Sequence, residues 1–224
     1  MKRLSFLTLL FIFSFVNAQE RPGLYLLAGT NSSSLSTDAV VAKSSGLGYQ
    51  VGIGAVMGYS ERFSYQIEVL YMNNPIEIQN VNGNNDLFNF GGYQVNNYLT
   101  YNLSIPEENK FYFGPTIGLL MNLGNVSSSE DTYDTTPAYF PSGISNDELL
   151  NNSNGLTVGV SFGLNATYNK FKARLSYNYG LSNHFKDVKS AGEVGEFGFV
   201  EGESVGDAKM SSISLTLSYK FGRY

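Results

Sequence analysis

At the end of the chain Ile213, Leu215, Leu217, Tyr219 and Phe221 alternate with Ser214, Thr216, Ser218 and Lys220. Successive side chains of a β-strand point to opposite faces, so a period of two predicts a strand with one apolar and one polar face. The same period runs from Leu156 to Tyr168, where Val158, Val160, Phe162 and Leu164 oppose Thr157, Gly159, Ser161, Gly163 and Asn165. It recurs from Tyr49 to Tyr59, Phe63 to Tyr71, Tyr93 to Ile105, Phe111 to Met121 and Ala173 to Leu181. An eighth segment, about Gly23 to Asn31, carries the consecutive apolar residues Leu24, Tyr25, Leu26 and Leu27, which leave its facing open.

Connections between these segments alternate in length. Ser60 to Arg62, Pro106 to Lys110 and Asn169-Lys170 are tight turns, whereas about 32–45, 73–92, 123–154 and 182–208 are long. Short turns on one side and long loops on the other are the organisation of an up-and-down membrane barrel. The expected fold is all-β, an eight-stranded antiparallel up-and-down transmembrane β-barrel, with both termini on the short-turn side.

Charge decides which face meets lipid. From the second strand to the eighth the apolar register holds no Lys, Arg, Asp or Glu, while the other register carries Glu68, Lys172, Arg174 and Lys220. A Lys or Arg against the bilayer midplane costs about 2–4 kcal/mol, so the charged register is expected inside. The rival is a soluble calyx with its apolar face inward. Its outer face would then be mainly Gly, Ser, Thr and Asn rather than Lys and Glu. Aromatic residues also gather at the strand ends, Tyr59, Phe63, Phe111, Tyr168, Phe171, Tyr219 and Phe221 at one rim and Tyr71, Tyr93 and Tyr179 at the other, as interfacial girdles require.

The start of the chain reads as an export signal. Lys2 and Arg3 precede an apolar stretch from Leu4 to Val16, and Val16-Asn17-Ala18 suits a signal peptidase. Residues 1–18 are therefore expected to be a signal peptide and 19–224 a single barrel domain. No later run approaches the roughly 18 to 20 apolar residues of a membrane helix. The chain has no Cys, which excludes disulfides and a lipidated amino terminus, and only 15% charged residues.

The Val16-Asn17-Ala18-Gln19 junction, the Phe111-Tyr112-Phe113-Gly114-Pro115 opening of the fifth strand and the closing Ser214–Phe221 strand resemble the PorT-like outer-membrane β-barrels of Bacteroidetes. The resemblance covers essentially the whole chain after residue 18. It implies an outer-membrane address in the cell envelope, and some members of that family are linked to protein secretion. Two positions depart from the pattern. Pro115 lies within a strand without an N–H to donate, which predicts a bulge or local break. Tyr224 falls out of register with Phe221.

Candidate chemistry is sparse. Glu68, Arg174, Lys172 and Lys220 form an expected interior ion-pair cluster, with Glu68 and Arg174 reaching each other from opposite walls. Eight strands leave an interior just wide enough for side chains to fill, so a structural plug is favoured over a small pore. His184, the only histidine, neighbours Ser182 and Asp187. A loop-borne hydrolase needs those groups in mutual hydrogen-bond reach, so the expectation is a solvated loop residue and no catalytic site. The loop at 123–154 holds Glu130, Asp131, Asp134, Asp147 and Glu148 without a Lys or Arg, and 182–208 is also acidic. Divalent cations there are conceivable chemistry, but the ordered spacing of a calcium loop is missing. No cofactor is expected, and no nucleic acid, since no basic patch exists. The expected partners are outer-membrane lipid and lipopolysaccharide, with envelope proteins beyond them, around a monomer. The resulting reading is a non-enzymatic structural or protein-interaction barrel.

Overall fold

The computed structural model describes residues 23–36, 42–44, 46–58, 62–79, 83–104, 111–128, 150–151, 153–185 and 208–221. Residues 1–18, expected as a signal peptide, lie outside them, as do Tyr59, Tyr224 and most of the two acidic loops.

The strands are β1 (Gly23–Ser36), β2 (Ala42–Ser44), β3 (Gly48–Gly58), β4 (Phe63–Gln79), β5 (Asn85–Tyr101), β6 (Phe111–Ser128), β7 (Leu156–Tyr168), β8 (Phe171–Gly180) and β9 (Lys209–Phe221). Eight of them close a ring in which each pairs antiparallel with its neighbours in sequence, and β9 returns to β1 from Leu24↔Phe221 to Ser36↔Lys209. The three-residue β2 stands outside the ring, against Ile76 to Ile78 of β4. The protein is an eight-stranded antiparallel up-and-down barrel. Among the described residues no helix is long and apolar enough to cross a membrane.

Alternation places the faces as charge requires. Leu24, Ile53, Val69, Leu119, Leu164, Leu175 and Leu217 all point outward and are exposed, while Gln66, Asn96, Ser161, Thr216 and their neighbours fill the interior. β1 resolves its own ambiguity by turning Leu24 and Leu26 outward and Tyr25 and Leu27 inward. Asn97 is the polar intruder of the outward register, and the Tyr65 hydroxyl donates to its Oδ1 at 2.7 Å. Around the rims Phe63 packs on Tyr101 and Phe171 on Tyr219 at the turn end, and Tyr49, Tyr71 and Tyr93 form a chain at the other. The tight β7–β8 turn uses Asn169 at φ 54°, a left-handed position that Asn tolerates.

Pro115 produces a local break without a bulge. The β6–β7 ladder passes straight through Pro115↔Leu164, whereas the β5–β6 ladder stops at Thr100↔Thr116 and resumes only as the single bond from Leu103 N–H to the Phe113 carbonyl at 2.9 Å. The N–H that proline lacks is the one that would have faced β5.

The long connections are shorter than the sequence reading placed them. β1 runs on to Ser36, β6 to Ser128, and most of 73–92 is not a loop but a hairpin that continues β4 and β5 to the pair Gln79↔Asn85. In this extension the polarity of the wall inverts. Leu35, Ile76, Ile78, Phe88 and Phe90 point inward and join Phe185 and Ala208 in a buried core, while Asn73, Glu77, Gln79 and Asn89 take the outward register. A wall that is apolar outside and polar inside suits lipid, and the reverse suits water. The inversion therefore marks one edge of the lipid-facing belt, just beyond the Tyr71–Tyr93 girdle.

Candidate functional site

The interior is held by one charged cluster. β4 and β8 lie four places apart in the ring, so Glu68 and Arg174 start from opposite walls. The Arg174 guanidinium donates to both carboxylate oxygens of Glu68 at 2.6 Å, a fork-to-fork pair, and both side chains are sealed from solvent. On its other side the guanidinium lies over the Tyr98 ring, 3.9 Å from the centroid. Glu68 also accepts from Asn96 at 3.3 Å and from the Gln66 amide, and the Lys172 ammonium donates to the Gln66 carbonyl oxygen. Lys172 is 6% exposed and lies near the Tyr25 ring, so it is part of the packed interior rather than of the rim. Lys220 remains at the turn end, its stem laid across Gly23.

Hydroxyls and amides fill the rest of the cross-section. Gln50 donates to Thr216 at 2.6 Å, Asn165 to Thr100 at 2.7 Å and Ser161 to Asn178 at 2.7 Å. Between the plug and the turn end a cavity of about 10 Å³ is bounded by Tyr25, Thr100 and Lys172, room for about one water. Such an interior supports the wall.

His184 departs from expectation. It is 7% exposed rather than solvated, because residues 150–151, 153–155 and 181–185 fold into the gap left where β7 and β8 end below the tops of their neighbours. Backbone bonds stitch this strap: Gly124 N–H to the Gly155 carbonyl, Asn154 N–H to His184 and His184 N–H to Ala208. The imidazole meets Phe90 edge-on with centroids 5.8 Å apart. Ser182 points elsewhere, accepting the Val158 N–H at 2.8 Å, and Asp187 lies outside the described residues. Geometry thus separates the Ser182–His184 pair that a hydrolase would need. The acidic loop residues also lie outside the described set, within which no three His, Asp or Glu side chains gather to hold a metal.

Burial pushes the His184 imidazole down to about 4 from its ordinary 6.5. The folded protein resists a proton that the unfolded chain accepts, so stability present above about pH 6.5 is lost as the pH falls toward 4. The loss attributable to this group should be on the order of 3 kcal/mol. Denaturant unfolding in detergent at pH 7 and at pH 4 reads it, and His184→Gln should remove that part. An equal acid loss in both proteins would assign the effect to carboxylates.

No protein-family model matches the chain, and no curated protein matches it. Solved structures similar in fold include Neisserial surface protein A (13% identity, 90% of this chain and 100% of that one, TM-score 0.44). OprG from Pseudomonas aeruginosa is 12% identical over 90% and 96% of the two chains, with a TM-score of 0.44. A major outer membrane protein from Thermus thermophilus is 11% identical over 90% and 100%, with a TM-score of 0.47. The likeness to these outer-membrane barrels is one of fold.

Proposed function

We propose that this chain is a non-enzymatic barrel of the outer membrane, a structural or protein-interaction component of the envelope that acts through surfaces outside the lipid belt. The observation that supports this reading most is the filled lumen, crossed from wall to wall by Glu68 and Arg174 and topped by the apolar core of Ile76, Ile78, Phe88 and Phe90. A conducting pore needs a continuous wet path, and an enzyme needs convergent reactive groups. The interior offers packing in place of both.

An outer-membrane address is supported by the lipid-facing belt, the two girdles and the export signal expected at residues 1–18. The resemblance to PorT-like barrels supports the narrower idea of a secretion-associated component.

Protein recovered from the outer-membrane fraction and placed in planar bilayers should give no persistent conductance steps. Stable steps in the unmodified protein would replace this reading with the small pore. Recovery from the soluble periplasm alone would remove the address.

A further inference from the structure

The register that meets lipid carries one amide between the girdles. Asn97 stands outward on β5, between Val95 and Leu99 along the strand and beside Ile67 of β4 and Leu119 of β6. It is four residues from Tyr93 in one girdle and four from Tyr101, which packs on Phe63 in the other. With a rise near 3.3 Å and a tilt of about 45°, it lies about 9 Å from either rim, in the middle of the belt. Among the described residues no other Asn or Gln, and no charged side chain, shares that register at this depth.

Its hydrogen bonding is unfinished. The Tyr65 hydroxyl donates to Oδ1 at 2.7 Å, and both side chains are half-buried on the outer surface. A carboxamide has two N–H donors and two acceptor lone pairs. Both Nδ2 hydrogens therefore find no acceptor among the described residues, and one lone pair of Oδ1 stays open. The amides of the interior stand among hydroxyls and within reach of water. This one stands in hydrocarbon, where nothing in the solvent can complete it.

Few occupants can. Acyl chains offer no acceptor, and the ester and headgroup oxygens of lipid lie at the girdles. The missing partner has to be protein, inside the bilayer, with a polar group at mid-belt. A second copy of this chain supplies it, because a carboxamide with open donors and an open acceptor is complementary to itself. Two barrels inserted in the same sense are related by a two-fold axis along the membrane normal, which sets equal heights against each other. Asn97 then meets Asn97, each donating Nδ2 to the Oδ1 of the other. The same face holds the break that Pro115 makes in the β5–β6 ladder, so a partner seated on β5 also covers the wall where it has fewest bonds. We propose that this chain dimerises in the membrane through the β5 face, with Asn97 pairing across the two-fold axis.

The test uses the full chain in phospholipid vesicles, where the absence of Cys makes any introduced thiol unique. Gln79→Cys protein labelled with donor or acceptor dye should show energy transfer that falls as lipid is added. Asn97→Leu should shift that dilution curve about tenfold toward monomer, the loss of two reciprocal bonds of the modest strength found in membranes. Its monomer should be no less resistant to heat, because leucine is an ordinary lipid-facing residue. A short bifunctional thiol reagent should bridge copies carrying Leu99→Cys on β5, and should not bridge copies carrying Leu215→Cys on β9, across the ring. Inserted protein that stays monomeric at every dilution leaves the amide to lipid or to a different protein. Bridging through Leu215→Cys alone puts the contact on another face, and undiminished pairing of Asn97→Leu takes the amide out of it. Each of these results overturns the proposal. Protein that does not insert overturns it together with the membrane address on which it rests.

Discussion

Glu68→Leu should destabilise the barrel by about 3–5 kcal/mol, because it leaves the Arg174 guanidinium buried without its counter-charge. The opposite truncation, Arg174→Met, should cost less. Glu68 would keep the donors Asn96 and Gln66, with Lys172 one residue further on, whereas Arg174 without Glu68 keeps only the face of Tyr98. The double variant Glu68→Leu/Arg174→Met should recover a few kcal/mol relative to Glu68→Leu, since removing both charges removes the desolvation penalty along with the attraction. Unfolding by guanidinium chloride in detergent micelles, run as a double-mutant cycle, measures the coupling. A coupling energy near zero would mean that the pair is a consequence of the packing and not a support of it.

That pair was legible in the sequence, and the reason is geometric. Ring closure fixes which strands face each other, alternation fixes which side chains point inward, and two charges in the inward register of opposite strands at similar heights have nowhere else to go. Lys172 was legible only in part. Its register placed it inside, but the Gln66 amide that carries its interaction to Glu68 is an ordinary polar residue in any reading of periodicity. The extension above the membrane was missed for a related reason. Between Asn73 and Gly92 the sequence is rich in Asn and Gly, which reads as loop, yet Ile76, Ile78, Phe88 and Phe90 keep a strict period of two. Their phase is shifted by one from Phe63 to Tyr71, and a search for a continuing apolar face loses the strand where the face changes sides. His184 was misread because a strap that fills a gap in the wall depends on where β7 and β8 stop, and a single histidine has no periodicity to reveal it.

The shift of phase makes the depth of the membrane testable from the outward register alone. Leu217 lies midway along the lipid-facing run of β9 between Phe221 and Ile213 and is 59% exposed. Leu217→Arg should therefore cost about 2–4 kcal/mol and impair assembly. Eight residues along the same register the native sequence already holds Lys209, about 20 Å higher for a tilted strand, and on β4 it holds Glu77 beyond the Tyr71 girdle. Gln79→Arg, outward but above the belt, should then be nearly neutral. Thr216 is a poor control for the inward face: it is 1% exposed and takes a 2.6 Å bond from Gln50, so Thr216→Arg should also disrupt folding, through overpacking rather than lipid. The two failures are separable, because Thr216→Ser should be mild while Leu217→Ala should keep assembly intact. Heat-modifiable migration after refolding into vesicles reads all five variants. Equal tolerance of arginine at Leu217 and Gln79 would place the belt elsewhere on the wall, and with it the boundary drawn from the inversion of polarity.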